Sequence, residues 1–432
     1  MRSEQCDVFI IGGGPAGATV GTLLAQSGLN VVIAEKESFP RFHIGESLLP
    51  HNLPLLDQLG VRSDIQSTSI VKRGIEFVSP THGKSVRFDF ARALDRRHPY
   101  AFQVRRSEFD EILLRNAESK GVEVLEKCRV TAVELEGSST PTVTAQIDGS
   151  KRSWKARFVV DASGRDTVIA NKLRTKERHP RNASAAVFGH FRNARRLEGD
   201  AEGNISIIWF DRGWFWFIPL ADGTTSIGAV CAPEVFKSRK GDMEAFFNEL
   251  IASSPEVSDR LKDAVREGGV TATGNYSYLS SQTSGRNFLM VGDAAAFVDP
   301  VFSTGVYLAM RGAFQAAGAV KACLARPERQ DKLLKRYDRN IVKAADAFTW
   351  FIYRIRQPAM RDLFMAPRNM FRVEEAVLLL LAGGIDRRFR VQARLYFFRG
   401  IYYLTKGIHF CARLTCRKDK GAQAGLTPSM GQ

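Results

Sequence analysis

Asp7-Val-Phe-Ile-Ile-Gly-Gly-Gly-Pro-Ala-Gly17 is the stretch that decides the fold. Asp7 to Ile11 form a short, nearly all-apolar run, the pattern of a strand buried on both faces. It enters Gly12-x-Gly14-x-x-Gly17, after which Ala18 to Ser27 read as a helix closed by Gly28. Asn30 to Ala34 make a second, β-branched strand ending on Glu35. Gly12 permits the tight turn, Gly14 lets backbone approach a pyrophosphate, and Gly17 lets the helix pack close with its N-terminus toward the phosphates. Glu35 is placed to accept hydrogen bonds from an adenosine ribose. A glycine triplet alone is a weak signal. Set between a strand and a helix, with a carboxylate ending the next strand, it points to a dinucleotide.

Working outward, Arg106 to Gly121 form a helix with Phe109, Ile112, Leu113 and Ala117 on one face. A strand follows at Val122–Leu125, and alternating strands around Val130–Ile147 precede Phe158-Val-Val-Asp161-Ala-Ser-Gly164. The pattern then changes to four alternating segments, Ala185–Phe191, Ile205–Phe210, Trp214–Pro219 and Thr225–Cys231, the mark of an antiparallel sheet. Asn287–Val291 return as an apolar strand into Gly292-Asp293, with a helix over Gly305–Ala325. The expected fold is α/β (α+β overall). A discontinuous nucleotide domain covers 1–78, 100–183 and 275–331, and an inserted antiparallel-sheet substrate domain covers 79–99 and 184–274. A basic, mainly helical region occupies 332–432.

At 432 residues the chain suits two or three domains. With 44% hydrophobic and 25% charged residues it is neither fibrous nor disordered. The six Cys form no CxxC pair and no Cys/His cluster of metal spacing, so reduced thiols and no metal are expected. No signal-peptide pattern opens the sequence, and no apolar run approaches the ~20 residues of a spanning helix, so a cytoplasmic location is expected. The net charge of +16 is uneven: residues 321–432 hold 23 Lys/Arg against 9 Asp/Glu. No nucleic-acid-binding motif accompanies that charge. An acidic protein or an anionic membrane surface suits it better, beside the plain alternative of a solvated helix face.

Asp161-Ala-Ser-Gly164, Gly292-Asp293-Ala-Ala and Gln103-Val-Arg-Arg106 resemble, in this order and spacing, segments of FAD-dependent aromatic hydroxylases. The resemblance implies a Rossmann-type FAD-binding domain of the glutathione-reductase-like class. It carries Gln103, Arg106, Asp161 and Gly164 to the FAD, and Asp293 to the ribityl or pyrophosphate region, beside Gly12, Gly14, Ala16, Gly17 and Glu35. Phe39-Pro-Arg-Phe-His-Ile-Gly-Glu-Ser-Leu-Leu-Pro50 is similar to the loop after the second strand in flavin-dependent halogenases, adding Lys36, Arg41 and Ser47 to the cofactor set.

Three further segments narrow the resemblance to the halogenases. Trp214-Phe-Trp216-Phe-Ile218-Pro219 satisfies their W-x-W-x-I-P signature, with bulky indoles that would keep a substrate away from the reactive flavin carbon. Its structural alternative is an aromatic-rich strand packing a domain interface. Lys72, in Lys72-Arg-Gly-Ile-Glu-Phe77, matches a K-x-G-x-x-F segment whose lysine lies between flavin and substrate; otherwise it is an ordinary surface lysine. Asp299-Pro-Val-Phe-Ser-Thr304-Gly305-Val306 resembles the D-P-x-x-S-x-G stretch, and the backbone N–H groups of Thr304 and Gly305 suit a halide.

The resemblance implies an FADH2-dependent halogenase. It would use O2 and chloride or bromide on an electron-rich aromatic, through a flavin hydroperoxide and hypohalous acid. Lys72, Trp214 and Trp216 are its catalytic candidates. With no second dinucleotide fingerprint, reduced flavin is expected from a separate flavin reductase. The last hundred residues do not align with the longer tails of tryptophan halogenases, whose active-site glutamate has no match here. Phenol- and pyrrole-type halogenases fit better, and several of those act on substrates tethered to acidic carrier proteins. The alternatives are a monooxygenase, a geranylgeranyl-reductase-like oxidoreductase, or a membrane-surface flavoprotein whose Arg394–Lys406 segment mixes aromatics and cations.

Overall fold

Strand Glu4–Ile11 buries Val8 and Ile10 in one core and Phe9 and Ile11 in another, which is why its sequence is apolar without alternation. The computed structural model describes residues 3–135, 140–297, 300–385 and 389–424. In the first sheet the strands run Ser284–Gly285, Phe288–Met290, Ser150–Asp161, Glu4–Ile11, Val31–Ala34 and Glu123–Leu125. The pairings from Phe288–Met290 through Glu123–Leu125 are parallel. Arg129–Glu134 and Thr142–Ile147 extend the sheet as an antiparallel meander. Helices Pro15–Ala25, Arg106–Ser119 and Thr304–Ala325 cover one face, with Leu24, Leu113 and Met310 in a shared core.

The second sheet runs Ala296–Phe297, Val265–Ser280, Lys176–Arg192, Thr224–Cys231, Gly213–Pro219, Ile205–Phe210, Gly74–Ser79 and Lys84–Asp89. It is antiparallel except where Ile205–Phe210 meets Gly74–Ser79. Strand Gly213–Pro219 shows period-2 alternation. Phe215 and Phe217 face helix Met243–Ala252, and Trp214, Trp216 and Ile218 face the C-terminal helices. Those helices are Gln330–Ile352, Pro358–Met365, Val373–Leu381 and Phe389–Ala424.

The second sheet is continuous across several of the positions expected to part the domains. Those at 78/79, 183/184 and 274/275 fall inside strands Gly74–Ser79, Lys176–Arg192 and Val265–Ser280, whose ladders continue across them. Pro80–His82 form the turn of a hairpin between Gly74–Ser79 and Lys84–Asp89. The two long strands carry the second sheet into the nucleotide domain, where the hydroxyls of Thr175 and Ser280 meet at 2.8 Å. Among the described residues no helix is long and apolar enough to cross a membrane.

Candidate active site

At the glycine turn only hydrogen fits two positions. A Cβ at Gly12, whose φ is +99°, would stand 2.5 Å from the Ala162 carbonyl oxygen, and one at Gly17 would stand 1.9 Å from the Gly12 oxygen. Gly14 caps helix Pro15–Ala25 without a side-chain bond, leaving the helix N-terminus open to a phosphate. The buried Glu35 carboxylate accepts from the N–H groups of Gly13 (2.8 Å) and Glu37 (2.9 Å), which fixes it beside that N-terminus. These features fit an adenine dinucleotide.

Ala16 packs against Gly292, where a Cβ would come within 3.3 Å of both Ala16 and Ala309. The Gly292-Asp293 turn is thereby wedged between two helices. Lys36 pairs with Asp166 at 2.6 Å across the turn. Asp161 spends both oxygens on its own loop, accepting from Ser163 N–H (3.0 Å) and Ile169 N–H (2.7 Å), so it holds the 161–169 loop in shape. Gly164, at φ +61°, has open space around it.

A second group joins the loop after the second strand to helix Arg106–Ser119. Arg106 makes a bidentate bond to Asp110 (2.7 and 2.9 Å) and donates to the Ile44 carbonyl (2.8 Å). Arg41 reaches the same carboxylate at 3.2 Å. Asp110 was missed in the sequence, although its i,i+4 spacing from Arg106 on a helix is the signal for such a pair. Burial pushes the Asp293 carboxyl up to about 6, opposed by the charges of Arg106 and Arg165. The charge of Arg106, together with burial, pushes His43 down to about 4, so its ring is neutral at pH 7. Two buried oxygens of this group, Glu46 Oε2 and Gln103 Oε1, have no hydrogen-bond partner among the described residues. Glu46 Oε1 meets His190 Nε2 at 2.9 Å, a contact no motif announced.

Lys72 ends the short strand Ile70–Lys72, paired with Ala101–Gln103, and is wholly buried. Its Nζ donates to Ser47 Oγ (2.9 Å) and to the Leu48 carbonyl (3.0 Å), and lies 5.4 Å from the Phe90 ring. Burial alone lowers its pKa from 10.5 to about 7. Lys72 is no surface lysine. Phe90 belongs to the same apolar core as Trp214 and Trp216, so the amine stands between Ser47 and Leu48 on one side and that core on the other. The two indoles lie 6.2 Å apart, and Trp216 Nε1 donates to Ser226 Oγ at 3.2 Å. Both are buried in the packed apolar core.

Helix Thr304–Ala325 starts beside Gly292 and Asp293. Thr304 is buried and Gly305 is open, after Ser303 turns the chain at φ +56°. Asp299 of the expected halide stretch lies outside the described residues.

The family model for an FAD binding domain matches residues 5–351. A tryptophan 2-halogenase of Chondromyces crocatus is 37% identical over 325 residues, covering 74% of this chain and 61% of that protein. A 1H-pyrrole-2-carbonyl-[peptidyl-carrier protein] chlorinase of Pseudomonas fluorescens is 30% identical over 413 residues, covering 89% of this chain and 90% of that protein. Among solved structures, a flavoprotein/dehydrogenase from Cytophaga hutchinsonii superimposes with TM-score 0.85 at 27% identity, covering 94% of this chain and all of that one. The myxobacterial chondrochloren halogenase CndH superimposes with TM-score 0.76 at 31% identity, covering 90% and 99%. The chain thus spans less than two thirds of the tryptophan 2-halogenase but nearly all of the pyrrole-type chlorinase. It belongs to the flavin-dependent halogenases, within the family defined by the FAD binding domain.

Proposed function

We propose that the protein is an FADH2-dependent halogenase of an electron-rich aromatic, phenol or pyrrole type, and that Lys72 handles the oxidised halogen. The observation that carries this reading is a fully buried lysine with its pKa near 7, held by Ser47 and Leu48. Reduced FAD with O2 supplies the oxidising equivalent that turns halide into hypohalous acid. Gly12, Gly14, Gly17 and Glu35 would hold the adenosine and pyrophosphate end. The 41–47 loop, Arg106, Asp293 and the N-terminus at Thr304–Gly305 would face the rest, with the latter N–H groups suited to the halide.

Near pH 7 about half of the Lys72 side chains are neutral. The neutral amine attacks the halogen of hypohalous acid, forming an N–X bond while the O–X bond breaks. The displaced hydroxide takes the amine proton and leaves as water. Halogen then passes to the aromatic carbon, whose proton returns to the amine. An amine buried at the edge of an aromatic core would keep the oxidant from leaking to solvent. Trp214 and Trp216 act as its wall.

Two partners complete the proposal. A separate flavin reductase would supply reduced flavin. The similar chlorinase is named for a substrate on a peptidyl-carrier protein, and the basic C-terminal third suits an acidic carrier.

The test supplies purified protein with a flavin reductase, NADH, O2, bromide and an electron-rich phenol or its carrier-bound form, read by mass spectrometry. Brominated product from wild type and none from a flavin-replete Lys72→Ala protein is the expected result. Equal bromination by both refutes the role of Lys72. A product that gains oxygen instead moves the assignment to a monooxygenase.

A further inference from the structure

Helix Phe389–Ala424 has two apolar faces, and the core covers only one. Val391, Leu395, Phe398 and Tyr402 are buried. They pack on Trp350 and Phe351, with ring centroids 5.3 Å (Tyr402–Trp350) and 5.4 Å (Phe398–Phe351) apart. His409 ties the helix to Asp362 at 2.6 Å. On the opposite side Phe389, Tyr396, Phe397, Leu404 and Ile408 form an exposed stripe, joined by Ala393, Gly400 and Gly407. Phe389 is 84% exposed, Leu404 71% and Ile408 69%. The spacing 389, 393, 396/397, 400, 403/404, 407/408 is one continuous helical face. It widens sideways through Phe371, itself 72% exposed, whose ring meets Phe397 at 5.5 Å and whose carbonyl accepts from Arg394 at 2.9 Å.

Charge decides what can cover this face. At 100° per residue Arg390 and Arg394 fall along one margin of the stripe, and Arg399 and Lys406 along the other. From Phe389 to Lys418 the sequence holds seven Lys/Arg and no Asp or Glu. A second copy would bring like-charged margins together. A straight, convex stripe from residue 389 to 411 runs about 33 Å. A plane meets it along that whole length, whereas a globular partner meets only part of it. Rings and aliphatic groups between rows of cations, with tyrosine hydroxyls at 396 and 403, are the composition of a helix lying in a lipid interface.

We propose that this face seats the protein on an anionic lipid bilayer, with the helix parallel to the surface. The inference is independent of the halogenation chemistry. Its structural consequence is that the inner face of the same helix helps close the core containing Trp214 and Trp216, so that compartment sits one helix away from the lipid.

Full-length protein is floated with phosphatidylcholine vesicles, with and without phosphatidylglycerol, at low and high salt. Binding is expected to the anionic vesicles and to weaken with salt. Leu404→Glu/Ile408→Glu, at two exposed positions that leave the core intact, should cut partitioning by about 10-fold or more. Circular dichroism and flavin content confirm that the variant is folded. Absence of binding by wild type, or equal binding by the variant, overturns the proposal. So does a concentration-dependent dimer that the variant abolishes, which would assign the stripe to a second copy.

Discussion

Lys72→Met removes a buried amine while keeping an unbranched side chain of similar length. The unfolded chain holds the ammonium proton up to pH 10.5, and the folded one only to about 7. The cost of that proton to folding is therefore complete below pH 7 and disappears as pH rises toward 10.5. Its full size is about 5 kcal/mol, from 1.36 kcal/mol per tenfold change. The side chain is wholly buried, so nothing is discounted for solvent. Lost bonds to Ser47 and Leu48 cost about 1–3 kcal/mol, without strong dependence on pH. Between pH 7 and pH 9 the wild type should gain about 2 kcal/mol of stability relative to Lys72→Met. Urea unfolding of both proteins at both pH values, followed by tryptophan fluorescence, measures this difference of differences. Parallel pH dependence would refute the claim that Lys72 is a buried amine titrating near neutrality. The same titration predicts that bromination rises with pH through about 7. Lys72→Arg should not restore it, because a guanidinium stays charged.

Gly17→Ala places a Cβ 1.9 Å from the Gly12 oxygen, so the turn must open; FAD affinity should fall about 10-fold or more, read by flavin fluorescence. Among the described residues Arg106→Ala leaves buried Asp110 with Arg41 as its ion-pair partner and should cost about 3–5 kcal/mol in urea unfolding; adding Asp110→Asn should recover part of it. Gly228→Ala puts a methyl 2.2 Å from Trp216 and 2.6 Å from Phe188, an overpacking cost of about 1–3 kcal/mol, measured by thermal or chemical denaturation.

The nucleotide domain was legible because each of its signals is local. Two strands, a glycine turn and Glu35 lie within thirty residues, and their spacing is dictated by backbone geometry. The four strands from Ala185 to Cys231 were legible for the same reason, period-2 alternation. The continuity of the second sheet was not, because a ladder that continues through residue 78 or 274 depends on a partner far along the chain. Lys72 was legible as a candidate only through its likeness to a motif. Its bonds to Ser47 and Leu48 reach 25 and 24 residues back along the chain, and nothing within the segment Val71–Phe77 encodes them. The link between Glu46 and His190 spans 144 residues and carries no periodic signal at all.

The C-terminal helix shows where composition misleads. Read along the chain, Arg394–Lys406 is a mixture of aromatics and cations, and its mean character says little. Read around the helix axis, the mixture separates into a buried row, an outward apolar row and cations on the two margins between them. Periodicity reveals both apolar rows but cannot say which one the protein keeps. That choice is made by Trp350 and Phe351, on a helix some fifty residues earlier, which cover Phe398 and Tyr402. Once they do, the row through Leu404 and Ile408 is left facing outward. An apolar face of that length survives on a folded surface only if something else covers it.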